Sequence, residues 1–187
     1  KLITGVIGSK PPHVLSPEER KKPVEIKDMF IDIGVASKDE VLEAGIMLGD
    51  MVTPASEFEE MTNKNYLLAK AWDNRFGVAL SIDVMKNLEK ENININLVSG
   101  ATVQEEVGLR GAKVAANKVK PDLAIAVDVG LGMDTPGMKS SNGTGDLGKG
   151  PLVILLDGSN IGHVPFRKHI LEVAKDKDIP VQLQVIP

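Results

Sequence analysis

The sequence contains no cysteine, which excludes a disulfide framework, a thiol nucleophile and a thiolate zinc site. Aromatics are scarce: four phenylalanines, Trp72 and Tyr66, too few to stack bases along a nucleic acid. No apolar run reaches the ~18–20 residues that crossing a bilayer requires. No basic opening followed by an apolar stretch resembles a signal peptide. Lys and Arg number 22 against 26 Asp and Glu, a formal net charge of -4, without the clustered positive charge that phosphate backbones demand. Neither a nucleic-acid nor a membrane partner is therefore expected. What is present, 187 residues with 42% hydrophobic and 26% charged, suits one soluble globular domain or one domain plus an appendage. That length is enough for a sizeable core. Lys1 runs straight into the extended-looking 2–7, and the chain stops at Val185-Ile186-Pro187 partway along another strand-like run. A fragment of a longer protein is expected.

Residues 1–60 read as short strands and turns. Pro11, Pro12, Pro17 and Pro23, with the charged run 18–22, mark an exposed loop or arm. Residues 30–35 alternate as a half-buried strand, Ser37 caps a short helix over 38–44, and Gly45 ends it. Met51-Val52 is read as a further strand, closed by Pro54. From about residue 64 the rhythm changes. Strands are predicted over 66–71, 93–103, 123–129, 151–156 and 181–186, and helices over 76–88, 109–119 and 163–175. The expected class is α/β, a mixed sheet flanked by helices over 61–187, with a small β-rich unit at 1–60. The stretch 130–150 carries seven glycines and reads as a long loop.

Four carboxylates fall where those strands end. Asp73 follows strand 66–71, Glu105 and Glu106 follow strand 93–103, and Asp128 sits near the end of strand 123–129. Ligands of open α/β sheets bind at that edge. Four converging carboxylates repel one another and resist ionisation once desolvated, and one or two divalent metals would relieve this. Zn²⁺, Co²⁺ or Mn²⁺ suit oxygen donors supplemented by histidine. The pair Glu105-Glu106 offers one ligand and one general base. The same residues also read more plainly: Asp73 as a helix N-cap, Glu105 and Glu106 as first-turn acids favoured by the helix dipole.

At these segments the chain resembles the tetrahedral (TET) aminopeptidase family, glutamyl-aminopeptidase-like dinuclear metallopeptidases whose members are sometimes labelled endoglucanases. The motifs are Ala71-Trp72-Asp73-Asn74-Arg75-Phe76-Gly77, Gln104-Glu105-Glu106-Val107-Gly108-Leu109-Arg110-Gly111-Ala112, Asp128-Val129-Gly130 and Leu147-Gly148-Lys149-Gly150-Pro151. Upstream, 8–13 and 45–50 look like pieces of the family's apical dimerisation domain. The resemblance implies a zinc-aminopeptidase-like fold, two divalent ions per subunit and peptide substrates. It implies Asp73 as the bridging ligand, Glu106 as a ligand of one metal, Asp128 as a ligand of the other, and Glu105 as the general base. It also implies a cis peptide at Asp73-Asn74, a cytoplasmic location, and a dimer assembling to a dodecamer. The family's two metal-binding histidines lie, by position, outside the chain, and His13, His163 and His169 do not match them. The chain alone is expected to be inactive.

Gly143 to Gly150 mimics a phosphate-binding loop, but Gly150 stands where a Ser or Thr would hold Mg²⁺, and Pro151 leads into a strand. Asn142-Gly143-Thr144 fits a glycosylation acceptor but lacks the signal peptide that would give it meaning. No Gly-x-Ser-x-Gly elbow is present. Two alternatives to peptidase activity stay open: a binding or scaffolding module on the same fold, and a hydrolase of the endoglucanase label, for which aromatic sugar platforms are missing.

Overall fold

A computed structural model describes residues 1–138 and 145–186. The chain divides into two compact units, Lys1–Ala55 and Ser56–Pro187.

In the first unit, β1 (Val6–Gly8) pairs antiparallel with β2 (Phe30–Asp32). Gly8 is required there, because a Cβ would lie 2.6 Å from the Phe30 ring. The proline-rich connection folds into three single 3₁₀ turns, Pro12–Val14, Glu19–Lys21 and Ile26–Asp28. Strand 30–35 is shorter than predicted: the Gly34 N–H donates to Asp32 Oδ1 at 2.7 Å, an Asx turn that ends the ladder. Helix α1 (Lys38–Glu43) follows the predicted logic. Ser37 Oγ accepts from the Glu40 N–H at 3.2 Å, and Glu40 Oε2 accepts from the Ala36 N–H at 2.8 Å, which caps the first turn reciprocally. At its end the Gly45 N–H donates to Leu42 O at 2.9 Å and the Ile46 N–H to Val41 O at 3.2 Å, with Gly45 at φ +91°, a Schellman stop. Met51-Val52 joins no ladder.

In the second unit, β3 (Glu59–Glu60) pairs antiparallel with β4 (Leu67–Leu68). The predicted strand 66–71 shrinks to these two residues, because Ala71 turns left-handed at φ 58°. Helix α2 (Trp72–Leu88) follows, with Asp73 and Asn74 outside helical geometry. Helix α3 (Arg110–Val119) lies between left-handed Leu109 and Lys120. Then come β5 (Leu152–Leu156), α4 (Val164–Asp176) and β6 (Gln182–Val185). Strands β5 and β6 are parallel, with Leu152 opposite Gln182, joined by the helical crossover that parallel pairing needs. An Arg167 N–H donates to Leu155 O at 3.3 Å, fixing α4 to β5.

The architecture is α/β, but the predicted single mixed sheet is not formed. The described residues make three two-stranded sheets. Segments 93–103 and 123–129 join no ladder. A strand, unlike a helix, cannot satisfy its backbone alone, and no strand among the described residues forms a ladder with them. Their apolar side chains are open accordingly, with Ile95 68% and Ile125 69% exposed. Among the described residues the expected sizeable core is absent for the same reason. Accessible surface is 16380 Å², against roughly 8,700 Å² for a folded monomer of this mass. Among the described residues only Gly77, Gly145 and Ala174 are buried.

Candidate metal and catalytic site

Asp73 sits in the first turn of α2, two residues after left-handed Ala71, and its peptide to Asn74 is cis. The Asn74 side chain does the organising. Its Nδ2 donates to Val127 O at 2.7 Å, and its Oδ1 accepts from the Gly77 N–H at 2.8 Å. One carboxamide thus joins the segment bearing Asp73 to the segment bearing Asp128, 53 positions apart. Gly77 permits this. A Cβ there would run into Asn74 Oδ1 and lie 2.9 Å from its Cγ and Nδ2. Asp128 is exposed, and its Oδ1 accepts from the Val129 N–H at 2.8 Å. Gly130 then packs on Leu152 of β5, where a Cβ would collide with Leu152 Cδ1.

Glu105 and Glu106 occupy a separate, self-closed turn at the start of α3. Glu105 O accepts from the Gly108 N–H at 3.1 Å and the Leu109 N–H at 2.9 Å. Gln104 O accepts from the Arg110 N–H at 3.2 Å and Val103 O from the Gly111 N–H at 2.9 Å. Gly111 needs its missing side chain, since a Cβ would lie 2.6 Å from Val103 N. Neither acid lies in the first turn of α3, which opens at Arg110 after Leu109, so the expected role of first-turn acids favoured by the helix dipole is not met. Of the five non-glycine residues at positive φ among those described, Ala71, Gln104 and Leu109 flank the candidate carboxylates. Such backbone is uncommon outside Gly, Asn and Asp, and collects at functional sites.

The strand-end placement predicted for all four acids is not what forms. Asp73 opens a helix, Glu105 and Glu106 lie in a turn, and Asp128 belongs to no strand. Among the described residues no three His, Asp or Glu side chains are grouped to hold a metal ion. All four donors are carboxylates, suited to a divalent cation, and the Asn74 tie aligns two of their segments. The residues therefore fit part of a metal-binding set. His163 serves otherwise: its Nδ1 accepts from the Phe166 N–H at 3.3 Å and caps α4. The glycosylation-like triplet 142–144 and part of the phosphate-loop mimic lie outside the described residues. The mimic leads into β5 rather than a helix, as Pro151 predicts. Sequence reasoning missed Asn74 as a tie. The available signal was Gly77 inside a predicted helix, since a helical glycine often marks close approach.

Structural neighbours include a TET aminopeptidase from a marine sediment archaeon of the Thaumarchaeota (TM-score 0.88, 42% identity, covering 97% of this chain and 51% of that one). Another is the TET1 peptidase of Pyrococcus horikoshii, which assembles into a tetrahedron or a large octahedral shell (TM-score 0.74, 34% identity, 97% and 53%). Among curated relatives, the glutamyl aminopeptidase of Lactococcus lactis is 34% identical over 184 residues, 98% of this chain and 51% of its own length. The putative aminopeptidase FrvX of Escherichia coli is 33% identical, with the same coverage. All four of these proteins are named as peptidases or aminopeptidases. A family model described as M42 glutamyl aminopeptidase matches residues 1–187, and the chain belongs to that family. It spans about half the length of the curated relatives it matches.

Proposed function

We propose that the whole protein is a metal-dependent aminopeptidase that removes N-terminal residues from peptides. Asp73 would bridge two divalent ions (Zn²⁺, Co²⁺ or Mn²⁺), Glu106 would hold one and Asp128 the other. When bound, the ions supply Lewis-acid polarisation of the scissile carbonyl and lower the pKa of water. Glu105 takes the proton of the attacking water as general base. Asn74 keeps the Asp73 and Asp128 segments side by side. This tie carries the reading, because four unrelated helix caps would need no side chain joining two of them across the fold.

In the same reading the fold is zinc-aminopeptidase-like, with the histidine ligands supplied from outside the chain and the 187 residues inactive alone. Residues 1–60 are part of a β-rich apical domain and 61–187 part of the catalytic domain. The apical domain builds a homodimer that grows to a dodecamer, and the protein works in the cytoplasm. The test is turnover of leucyl- and glutamyl-anilides by the metal-loaded whole protein. Glu105→Gln should lower it about 10²- to 10⁴-fold with metal content unchanged, and undiminished turnover refutes the assignment. A rival reading, a binding or scaffolding module with metal structural or absent, draws on the lack of a three-donor group among the described residues. Anilide turnover by the whole protein that is lost in Glu105→Gln rules it out.

A further inference from the structure

A second side-chain amide, far from Asn74 in sequence, does related work. Gln182 lies on β6 opposite Leu152. Its Oε1 accepts from the Gly145 N–H at 3.1 Å and the Asp146 N–H at 3.0 Å. Its Nε2 donates to Asp146 O at 3.0 Å and Gly150 O at 3.0 Å. A glutamine amide has two N–H donors and two main acceptor directions, so this one is fully used, and all of it is spent on the backbone of 145–150. That segment grips the stretch after Asp128 in turn. Gly145 O accepts from the Met133 N–H at 2.9 Å, and the Leu147 N–H points at both Asp134 carboxylate oxygens at 3.3 Å. Gly145 is buried, and a Cβ there would lie 3.0 Å from Met133 Cγ and 3.1 Å from Leu131 O. Gly150 is as confined: at φ +94°, a Cβ would lie 2.6 Å from the Pro180 carbonyl carbon.

We propose that Gln182 is a positioning residue for the Asp128 half of the metal site, acting through 145–150 on residues 131–134. The inference rests on the aminopeptidase reading and adds to it a residue that touches neither metal nor substrate. Its logic is that of an outer-shell partner, whose loss typically costs ~10–100-fold in metal affinity or activity. Gln182→Leu deletes all four bonds. Gln182→Glu keeps the acceptor for the two N–H groups but sets a carboxylate against the two carbonyls.

The experiment uses the whole protein and three measurements: amide hydrogen exchange over 145–150 without metal, Zn²⁺ affinity by chelator competition, and the split between kcat and KM. For Gln182→Leu the expected results are exchange at Gly145 and Asp146 at least ~10-fold faster and Zn²⁺ affinity ~10–100-fold weaker, with KM raised. Gln182→Glu should fall between it and the unsubstituted protein, and carries the test if Gln182→Leu does not fold. Faster exchange with Zn²⁺ affinity and KM within about twofold would make Gln182 a structural bracket only and overturn the proposal, and unchanged exchange would overturn the bracket itself. An unsubstituted protein that binds no divalent metal and turns over no anilide sinks the aminopeptidase reading, and this proposal falls with it.

Discussion

Gly77→Ala is the substitution whose consequence the structure determines most directly. The new methyl would collide with Asn74 Oδ1 and sit 2.9 Å from the carboxamide carbon and nitrogen, so Asn74 must swing away. Two hydrogen bonds then go, from Asn74 Nδ2 to Val127 O and from the Gly77 N–H to Asn74 Oδ1. At roughly 0.5–1.5 kcal/mol each the loss is about 1–3 kcal/mol. Alanine returns about 1 kcal/mol through its better helix propensity, leaving a net cost of about 0–2 kcal/mol. That single number discriminates poorly, and a double-mutant cycle does better. In an Asn74→Ala background there is no carboxamide to strike and no tie to break, so Gly77→Ala should stabilise by about 1 kcal/mol. The coupling between the two sites should equal the lost bonds, about 1–3 kcal/mol. Thermal unfolding of the metal-free whole protein, compared across the four members of the cycle, resolves it. A Gly77→Ala cost that is the same in both backgrounds refutes the tie and removes the argument that Asp73 and Asp128 are held together.

Gly150→Ala should cost more than about 1 kcal/mol, since it forces a side chain onto left-handed backbone and against the Pro180 carbonyl. Gly148→Ala, also left-handed but with nothing within 4 Å, should cost visibly less, and equal melting shifts would refute the contact. The Asp157 carboxylate accepts from the Ser159 N–H at 2.7 Å, Ser159 Oγ at 2.8 Å and the Asn160 N–H at 2.8 Å. Of these the backbone N–H of Ser159 contributes most to holding its pKa below the ordinary aspartate value. With the folded pKa the lower one, the turn's contribution to stability is present above the unfolded value of ~3.9 and is lost as pH falls through the folded value. An NMR titration of Asp157 with its midpoint at or above ~3.9 would contradict this.

Helices and their stops were legible from the sequence because their signals are local. Ser37, Glu40 and Gly45 act within α1 as their residue types predict, and α2, α3 and α4 fall within a few residues of the expected spans. The apolar parallel pair β5 and β6 was also legible. The strand runs 93–103 and 123–129 were not realised, since β-branched composition states only that a segment can join a sheet, while joining depends on partners remote in sequence. The acids themselves stood out in the motifs, but their setting did not. Nothing in the neighbourhood of Asp73 shows that Asn74 reaches Val127, or that Gln182 brackets a loop more than thirty residues upstream. Such ties cross the fold, and sequence marks them only by the glycines that make room.

The backbone at the carboxylate turns offers a further, independent handle on function. Gln104 at φ 59° and Leu109 at φ 56° bracket Glu105 and Glu106, a conformation costing an L-residue roughly 1–2 kcal/mol. No local need explains both: a turn leading into a helix can be built with glycine at such positions, and Gly108 at φ +113° shows that the segment already uses one. Retaining side chains there is reasonable if they fix where the two acids project. Gln104→Gly and Leu109→Gly should then have opposite effects on two observables. Each relieves left-handed backbone, by up to roughly 1–2 kcal/mol less whatever entropy the more flexible unfolded chain regains, so melting temperature should hold or rise. Each also frees the turn, so anilide turnover by the whole protein should fall. A variant that is both more stable and fully active would mean that the left-handed residues are incidental to the placement of Glu105, and that the turn is no more than the entrance to α3.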